Sequence, residues 1–131
     1  MRAVQPWKNF IDGSMTVLNL AAQTPFVTKD GSEIRSILDR SNAPVEKQSL
    51  AEAIVQAGGS TQRHYHRLSE EFYFILEGSG WMEIDGETRD VGPGDAILIP
   101  AGAWHTIMAA ERLRFLCCCA PPYSHEDTHF K

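Results

Sequence analysis

The stretch Arg63-His64-Tyr65-His66-Arg67-Leu68-Ser69-Glu70-Glu71-Phe72-Tyr73-Phe74-Ile75-Leu76-Glu77-Gly78 sets two histidines and two adjacent carboxylates against a dense β signal. On an extended chain, which rises about 3.3 Å per residue, His64 and His66 leave the same face while Tyr65 leaves the other, so the two imidazoles form a chelating pair. The run 72–76 is aromatic and aliphatic throughout, the composition of a strand buried on both faces. Alternation places Glu71 on the inner face with Tyr73 and Ile75 and leaves Glu70 at the strand's mouth. Imidazole nitrogens and a carboxylate oxygen together suit a first-row divalent metal such as iron, manganese, nickel or zinc. Taken alone, a His-x-His pair fits polar loop residues ahead of a strand equally well.

The rest of the composition bounds what can surround this stretch. A chain of 131 residues with 43% hydrophobic and 22% charged content has material for one core and reads as one globular domain. Its longest apolar run falls far short of the roughly 18 residues of a membrane span. The opening Met1-Arg2-Ala3-Val4-Gln5-Pro6-Trp7 lacks the apolar segment of a signal peptide, so a cytoplasmic protein is expected. Net charge is -5 and no Lys/Arg cluster is present, which argues against a nucleic-acid partner. The three cysteines are consecutive, Cys117-Cys118-Cys119, an arrangement that cannot build a disulfide framework and agrees with a reducing compartment. A thiolate metal or redox site is one reading of them. The flanking Leu113, Phe115 and Leu116 favour the other, a buried strand in which cysteine acts as a small hydrophobe, with Cys117 and Cys119 on one face and Cys118 opposite.

In chain order, residues 1–24 give no clean period and read as irregular. Lys29-Asp30-Gly31-Ser32 is a turn signal that predicts a hairpin or a pair of short strands over residues 24–39, with helix the alternative for the second half. Residues 48–56 alternate as a strand, although their alanines leave helix open. Gly78-Ser79-Gly80 permits a bend or bulge, and Asp85-Gly86 joins strands at 81–84 and 87–91 into a hairpin. Gly92-Pro93-Gly94-Asp95 and Pro100-Ala101-Gly102 are turns that deliver strands at 96–99 and 104–108, and 113–119 is the last strand. Short strands about every ten residues with almost no helix define an all-β antiparallel sandwich or barrel. The expected organisation is an arm with short strands over 1–40, packing on the barrel or on a partner subunit, and a barrel over 41–131, one domain overall.

Gly58, His64, His66, Glu71 and Gly78 stand at the spacing glycine, five residues, His-x-His, four residues, Glu, six residues, glycine, which resembles the first cupin motif. Gly94, Pro100, Gly102 and His105 resemble the second, in the right order and about 15 residues downstream; the asparagine that often closes it is replaced by Ala109. By this resemblance the chain is identified as a member of the cupin superfamily. It is similar to small single-domain bacterial cupins described as resembling mannose-6-phosphate isomerase, a kinship of sequence and not of activity. The resemblance implies a double-stranded β-helix, or jelly roll, with His64, His66, Glu71 and His105 converging inside the barrel on one divalent transition metal (Fe, Mn, Ni or Zn). From the residues alone, His105 on an apolar strand reads sooner as a hydrogen-bonded core residue, and only the motif spacing makes it a ligand.

Such a centre retains positive charge, so it can polarise a substrate oxygen, lower the pKa of water or, with a redox metal, bind dioxygen. Tyr73, sharing a face with Glu71, is the candidate catalytic proton donor or base, against the alternative of an aromatic core residue with a satisfied hydroxyl. Gln62 is placed to reach the barrel's mouth and Arg63 and Arg67 to attract an anionic substrate, unless all three are ordinary solvated loop residues. Met82, Ile84, Ile97, Ile99 and Ile107 are expected along the apolar part of a cavity, which is also how a plain core looks. His125 and His129 read as solvated, in a tail from Pro121 to Lys131 that either covers the mouth or lies on a neighbouring subunit. Phe72, Phe74, Leu76 and Trp81 project outward, which predicts a homodimer. The expected function is a mononuclear metalloenzyme acting on a small oxygen-rich metabolite, of dioxygenase, isomerase, lyase or decarboxylase type. The alternative is a non-catalytic barrel that binds a metal or a sugar-like ligand.

Overall fold

The computed structural model describes residues 15–131. Among them the alternating segments become strands β1 (Phe26–Val27), β2 (Glu33–Leu38), β3 (Ser49–Val55), β4 (Tyr65–His66), β5 (Glu70–Glu77), β6 (Gly80–Ile84), β7 (Glu87–Val91), β8 (Ala96–Ile99), β9 (His105–Ala109), β10 (Leu113–Ala120) and β11 (Thr128–His129). Short 3-10 turns at Leu20–Ala22 and His125–Asp127 are the helical elements among the described residues. One sheet runs β1-β2-β3-β10-β5-β8, a second runs β7-β6-β9, and β11 pairs with β4. All the pairings are antiparallel, and the sheets close a jelly-roll barrel.

Local chemistry explains the corners. The turn at Lys29–Ser32 forms, with Phe26 opposite Ile34 in the hairpin β1-β2. At the β6-β7 corner Asp85 and Gly86 take φ of 46° and 90°, the left-handed backbone that a two-residue hairpin demands and that Asp-Gly tolerates best. The expected irregular arm lies partly in residues 1–14, outside the described residues. From Met15 to Pro25 the chain holds only the 3-10 turn, capped by Asn19 Oδ1 accepting from Ala21 N at 2.8 Å.

The interior fills from the inward-facing half of each strand. Ala53, Val55, Tyr73, Ile75, Leu113 and Phe115 come from the larger sheet and pack against Met82, Ile107 and Ala109 from the smaller. Strand β5 follows the alternation from Glu71 onward, but it is not buried on both faces as its composition suggested. Tyr73 and Ile75 are 3% and 0% exposed, whereas Phe72 and Phe74 are 52% and 43% exposed, because nothing among the described residues layers over the outer side of that sheet. A second correction concerns Met82, Ile84, Ile97, Ile99 and Ile107. They form, or pack against, the closed core and do not line the cavity, which opens instead on the β1-β2-β3 side.

One buried charge lies on the outer face of the larger sheet. Glu52 of β3, 1% exposed, accepts from Arg35 Nε and Nη2 at 2.9 and 2.8 Å and from Arg114 Nε at 2.6 Å. Burial alone would raise its pKa, but the bonds from Arg114 and Arg35 outweigh burial and hold it below the usual carboxylate value of 4.5. A depressed carboxylate stabilises the fold above its unfolded pKa, and that contribution is lost as pH falls through the folded value. Glu52→Gln is therefore expected to cost about 2 kcal/mol at pH 7, the worth of hydrogen bonds to a charged group. In urea melts the gap between wild type and variant is expected to narrow below pH 4.5; a gap that stays constant to pH 3 contradicts this account.

Candidate metal centre

His64, His66, Glu71 and His105 arrive from different parts of the barrel and converge in its interior, all of them buried. His64 and His105 exchange two backbone hydrogen bonds, His64 N to His105 O at 3.1 Å and His105 N to His64 O at 2.8 Å, a bridge that joins the His-x-His segment to β9. His66 is set by β4, which pairs with the tail strand β11, and Glu71 by its register in β5, opposite Cys119 of β10.

Each imidazole is oriented by a backbone carbonyl. His64 Nδ1 lies 2.6 Å from Gln62 O, His66 Nδ1 3.0 Å from Asp127 O, and His105 Nδ1 3.0 Å from Ala103 O. A carbonyl only accepts, so Nδ1 carries a proton in each ring, and in the neutral ring Nε2 holds a lone pair. One ring nitrogen from each histidine lies within 4.8 Å of the other two, a geometry able to hold a metal ion. Glu71 Oε1 stands 3.3 Å from His66 Nε2 and 3.6 Å from His105 Nε2, while its Oε2 accepts from the Cys119 thiol at 3.3 Å. Among the described residues, Glu71 Oε1 and His105 Nε2 are buried side-chain atoms without a hydrogen-bond partner. Two acceptors face each other across this gap with no donor between them. Such an arrangement costs free energy in an empty site and is satisfied by a cation.

The electrostatics differ between the rings. Burial pushes His105 down to about 4, so it is neutral at pH 7. Burial also works against charge on His66, yet the Glu71 carboxylate beside it prevails and its pKa is raised. Burial and the same carboxylate raise the thiols of Cys117 and Cys119 far above their ordinary value, which keeps Cys119 protonated as the donor to Glu71. Cys117 and Cys119 share the inner face as expected, but Cys119 is more than core filling: it fixes the orientation of the carboxylate.

Beside the cluster lies a cavity of about 510 Å³. Its walls include His64, His66, Glu71 and Tyr73, and the tail supplies Tyr123, Ser124 and Thr128. Tyr73 is therefore placed on the cavity wall, and burial together with Glu71 raises its pKa well above the usual 10, so its hydroxyl stays protonated at neutral pH. Gln62, Arg63 and Arg67 do not line the cavity. Arg63 is held outside, bonded to Glu83 at 2.7 Å and lying 5.1 Å over the Trp104 ring, so the expected attraction of an anionic substrate by these arginines is not supported.

The tail lies over its own barrel. The Asp127 carboxylate accepts from the backbone N–H groups of Arg67, Leu68 and Ser69 at 2.9 to 3.1 Å, and Ser69 Oγ donates to Pro121 O at 2.8 Å. His125 is exposed at the cavity rim, and His129 is half-buried with its ring 5.0 Å from Tyr65. Asp30 and Asp127 were not singled out from the sequence as site residues, and Cys119 entered only through the thiolate reading set behind core packing. For Asp30 the only signal was turn composition, and for Asp127 a place in the tail.

A jelly-roll barrel enclosing three histidines and a carboxylate beside a cavity defines the class, and residues 51–119 match the family model described as a cupin domain. The chain belongs to the cupin family. It is 51% identical over 106 residues to an uncharacterised protein of Methanocaldococcus jannaschii, covering 79% of this chain and 85% of that one. It is also similar to a polyketide synthase protein of Streptomyces cyaneus, 30% identical over 77 residues, of whose length it spans 50%. Among solved structures, the polyketide cyclase of Streptomyces resistomycificus superposes with a TM-score of 0.70 at 27% identity, covering 81% of this chain and 79% of that one. An ectoine synthase from P. lautus superposes with a TM-score of 0.73 at 25% identity, covering 88% of each chain.

Proposed function

We propose that His64, His66, Glu71 and His105 hold one divalent transition metal, iron, manganese, nickel or zinc, and that the protein is a metalloenzyme acting on a small oxygen-rich molecule in the adjoining cavity. The observation that carries this reading is the facing pair of partnerless acceptors, Glu71 Oε1 and His105 Nε2. When bound, the metal would supply Lewis-acid or redox chemistry. The chain's own residues do the rest. The three carbonyl-anchored imidazoles and the Cys119-anchored carboxylate keep the donor atoms fixed, and Tyr73 offers a proton from the cavity wall. Relatives named as a polyketide cyclase and an ectoine synthase support the catalytic half of the reading. In this account the protein is cytoplasmic, and among the described residues no helix is long and apolar enough to cross a membrane. A second copy is expected to cover exposed Phe72, Phe74 and Leu98, giving a homodimer built on a 41–131 barrel and a 1–40 arm.

The test is turnover. Metal-loaded protein incubated with hydroxylated and carbonyl compounds is expected to consume oxygen or convert one of them, and His105→Ala to abolish this. Saturable binding without conversion would reduce the protein to a ligand-holding barrel.

A further inference from the structure

Asp30 sits in the turn between β1 and β2, and the two oxygens of its carboxylate face different surroundings. Oδ1 accepts three hydrogen bonds, from Thr28 Oγ1 at 2.6 Å, Ser32 Oγ at 2.6 Å and Ser32 N at 2.9 Å. The Asp30 backbone carbonyl accepts from Gln62 N at 2.7 Å, which ties this turn to the segment entering His64. Oδ2 accepts no hydrogen bond among the described residues. It faces the histidine cluster, 3.8 Å from His64 Nε2, on a side chain only 15% exposed, and Asp30 lines the cavity. The bonds to Oδ1 are what a turn requires of an aspartate. Oδ2, directed at the histidine cluster from a largely buried side chain, is not explained by the turn.

Glu71 reaches His66 and His105, and Asp30 reaches His64, so each of the three histidines has a carboxylate beside it. A divalent ion held with Glu71 alone would leave one net positive charge, and Asp30 cancels it. Arg40 is the one arginine or lysine among the described cavity residues, and its sequence neighbour Asp39 lines the same wall. An anionic group entering this end would meet a neutral centre and a carboxylate oxygen that accepts no hydrogen bond among the described residues.

We propose that Asp30 is a substrate-binding residue whose Oδ2 accepts a hydrogen bond from a hydroxyl or amino group of the bound molecule, so that the site selects neutral or amino-bearing hydroxylated compounds over anions. This deepens the proposed function and rests on its metal centre.

The test uses cobalt(II)-loaded full-length protein, azide as the anionic probe and glycerol as its neutral competitor, both read by visible absorption. Asp30→Asn keeps an oxygen for the turn and removes the charge. It is expected to leave cobalt content unchanged and to tighten azide binding at least about fivefold, the weakest effect of a unit charge about 4 Å away. The apparent affinity of glycerol is expected to fall about tenfold, as for a lost hydrogen bond to a charged acceptor. Asp30→Glu retains the charge and is expected to keep azide affinity within about twofold of wild type, by the same Coulomb argument. Asp95→Asn, which alters a turn outside the cavity, is expected to change neither probe. Azide affinity in Asp30→Asn equal to that of wild type overturns the proposal, as does loss of cobalt from that variant, which would make Asp30 a ligand. Wild-type protein that takes up no cobalt overturns the metal centre itself and this inference with it.

Discussion

Glu71→Gln is expected to lower metal affinity at least about 100-fold while leaving the metal-free protein as stable as wild type, or more stable by about 1 kcal/mol. The first half follows from ligand chemistry: loss of even an outer hydrogen-bond partner of a metal ligand costs about 10–100-fold, and this change removes a charged donor atom. The second half follows from the gap between Glu71 Oε1 and His105 Nε2, 3.6 Å apart and both without a partner among the described residues. A glutamine that turns its N–H₂ toward His105 supplies the missing donor, and its carbonyl still accepts from Cys119. A net hydrogen bond of this kind is worth about 1 kcal/mol. Competition with a chelator reads the affinity, and urea melts of chelator-treated protein read the stability. The same excess of metal is expected to raise the melting temperature of wild type more than that of the variant, since ligand bound only to the native state stabilises it by mass action. If the variant loses stability and keeps its metal affinity, Glu71 is a structural residue.

Gly80→Ala is expected to be among the most damaging single-methyl changes in the described part of the fold. A Cβ at Gly80 would overlap the Met108 carbonyl oxygen, and Gly80 pairs directly with Ala109 across β6 and β9. The overlapped atom is backbone, so relief requires the strands to part. That cost falls at the upper end of overpacking effects, about 3 kcal/mol or more. Gly78 has the same problem against the Arg112 carbonyl and a φ of +87° besides. Gly92 provides the comparison: it has nothing within 4 Å of an added Cβ and no positive φ. Gly92→Ala is therefore expected within about 0.5 kcal/mol of wild type, because the chain loses only unfolded-state freedom. Denaturant melts of the variants side by side check this, and similar midpoints for Gly80→Ala and Gly92→Ala contradict it.

Much of the architecture was legible because strand periodicity and turn chemistry agree along the chain. Asp85-Gly86 marks a hairpin, and Glu71, Tyr73 and Ile75 alternate inward with Phe72 and Phe74 outward, as the structure has them. The apolar density of 72–76 misled in one respect, since composition alone does not say whether a second layer covers a sheet. The same ambiguity made Met82, Ile97 and Ile107 read as cavity wall when they are core: a buried aliphatic residue looks identical in sequence whether it faces a void or a neighbour. The convergence of His64, His66 and Glu71 followed from local spacing on strands, whereas His105 needed the resemblance, because its partner His64 lies about forty residues away across a backbone bridge. Asp30 and Asp127 were illegible for the same reason. Each acts through contacts distant in sequence, Asp30 on His64 and Asp127 on the residues around His66, and such contacts leave no periodic trace.

Metal content, measured by elemental mass spectrometry on protein purified without a metal-affinity tag beside its His64→Ala/His66→Ala variant, tests the central claim most directly. Close to one iron, manganese, nickel or zinc per wild-type chain, lost in the variant, is the predicted result. No metal above the variant's background, even after reconstitution with each of these ions, would contradict it and leave the buried histidines and Glu71 as parts of a metal-independent binding barrel.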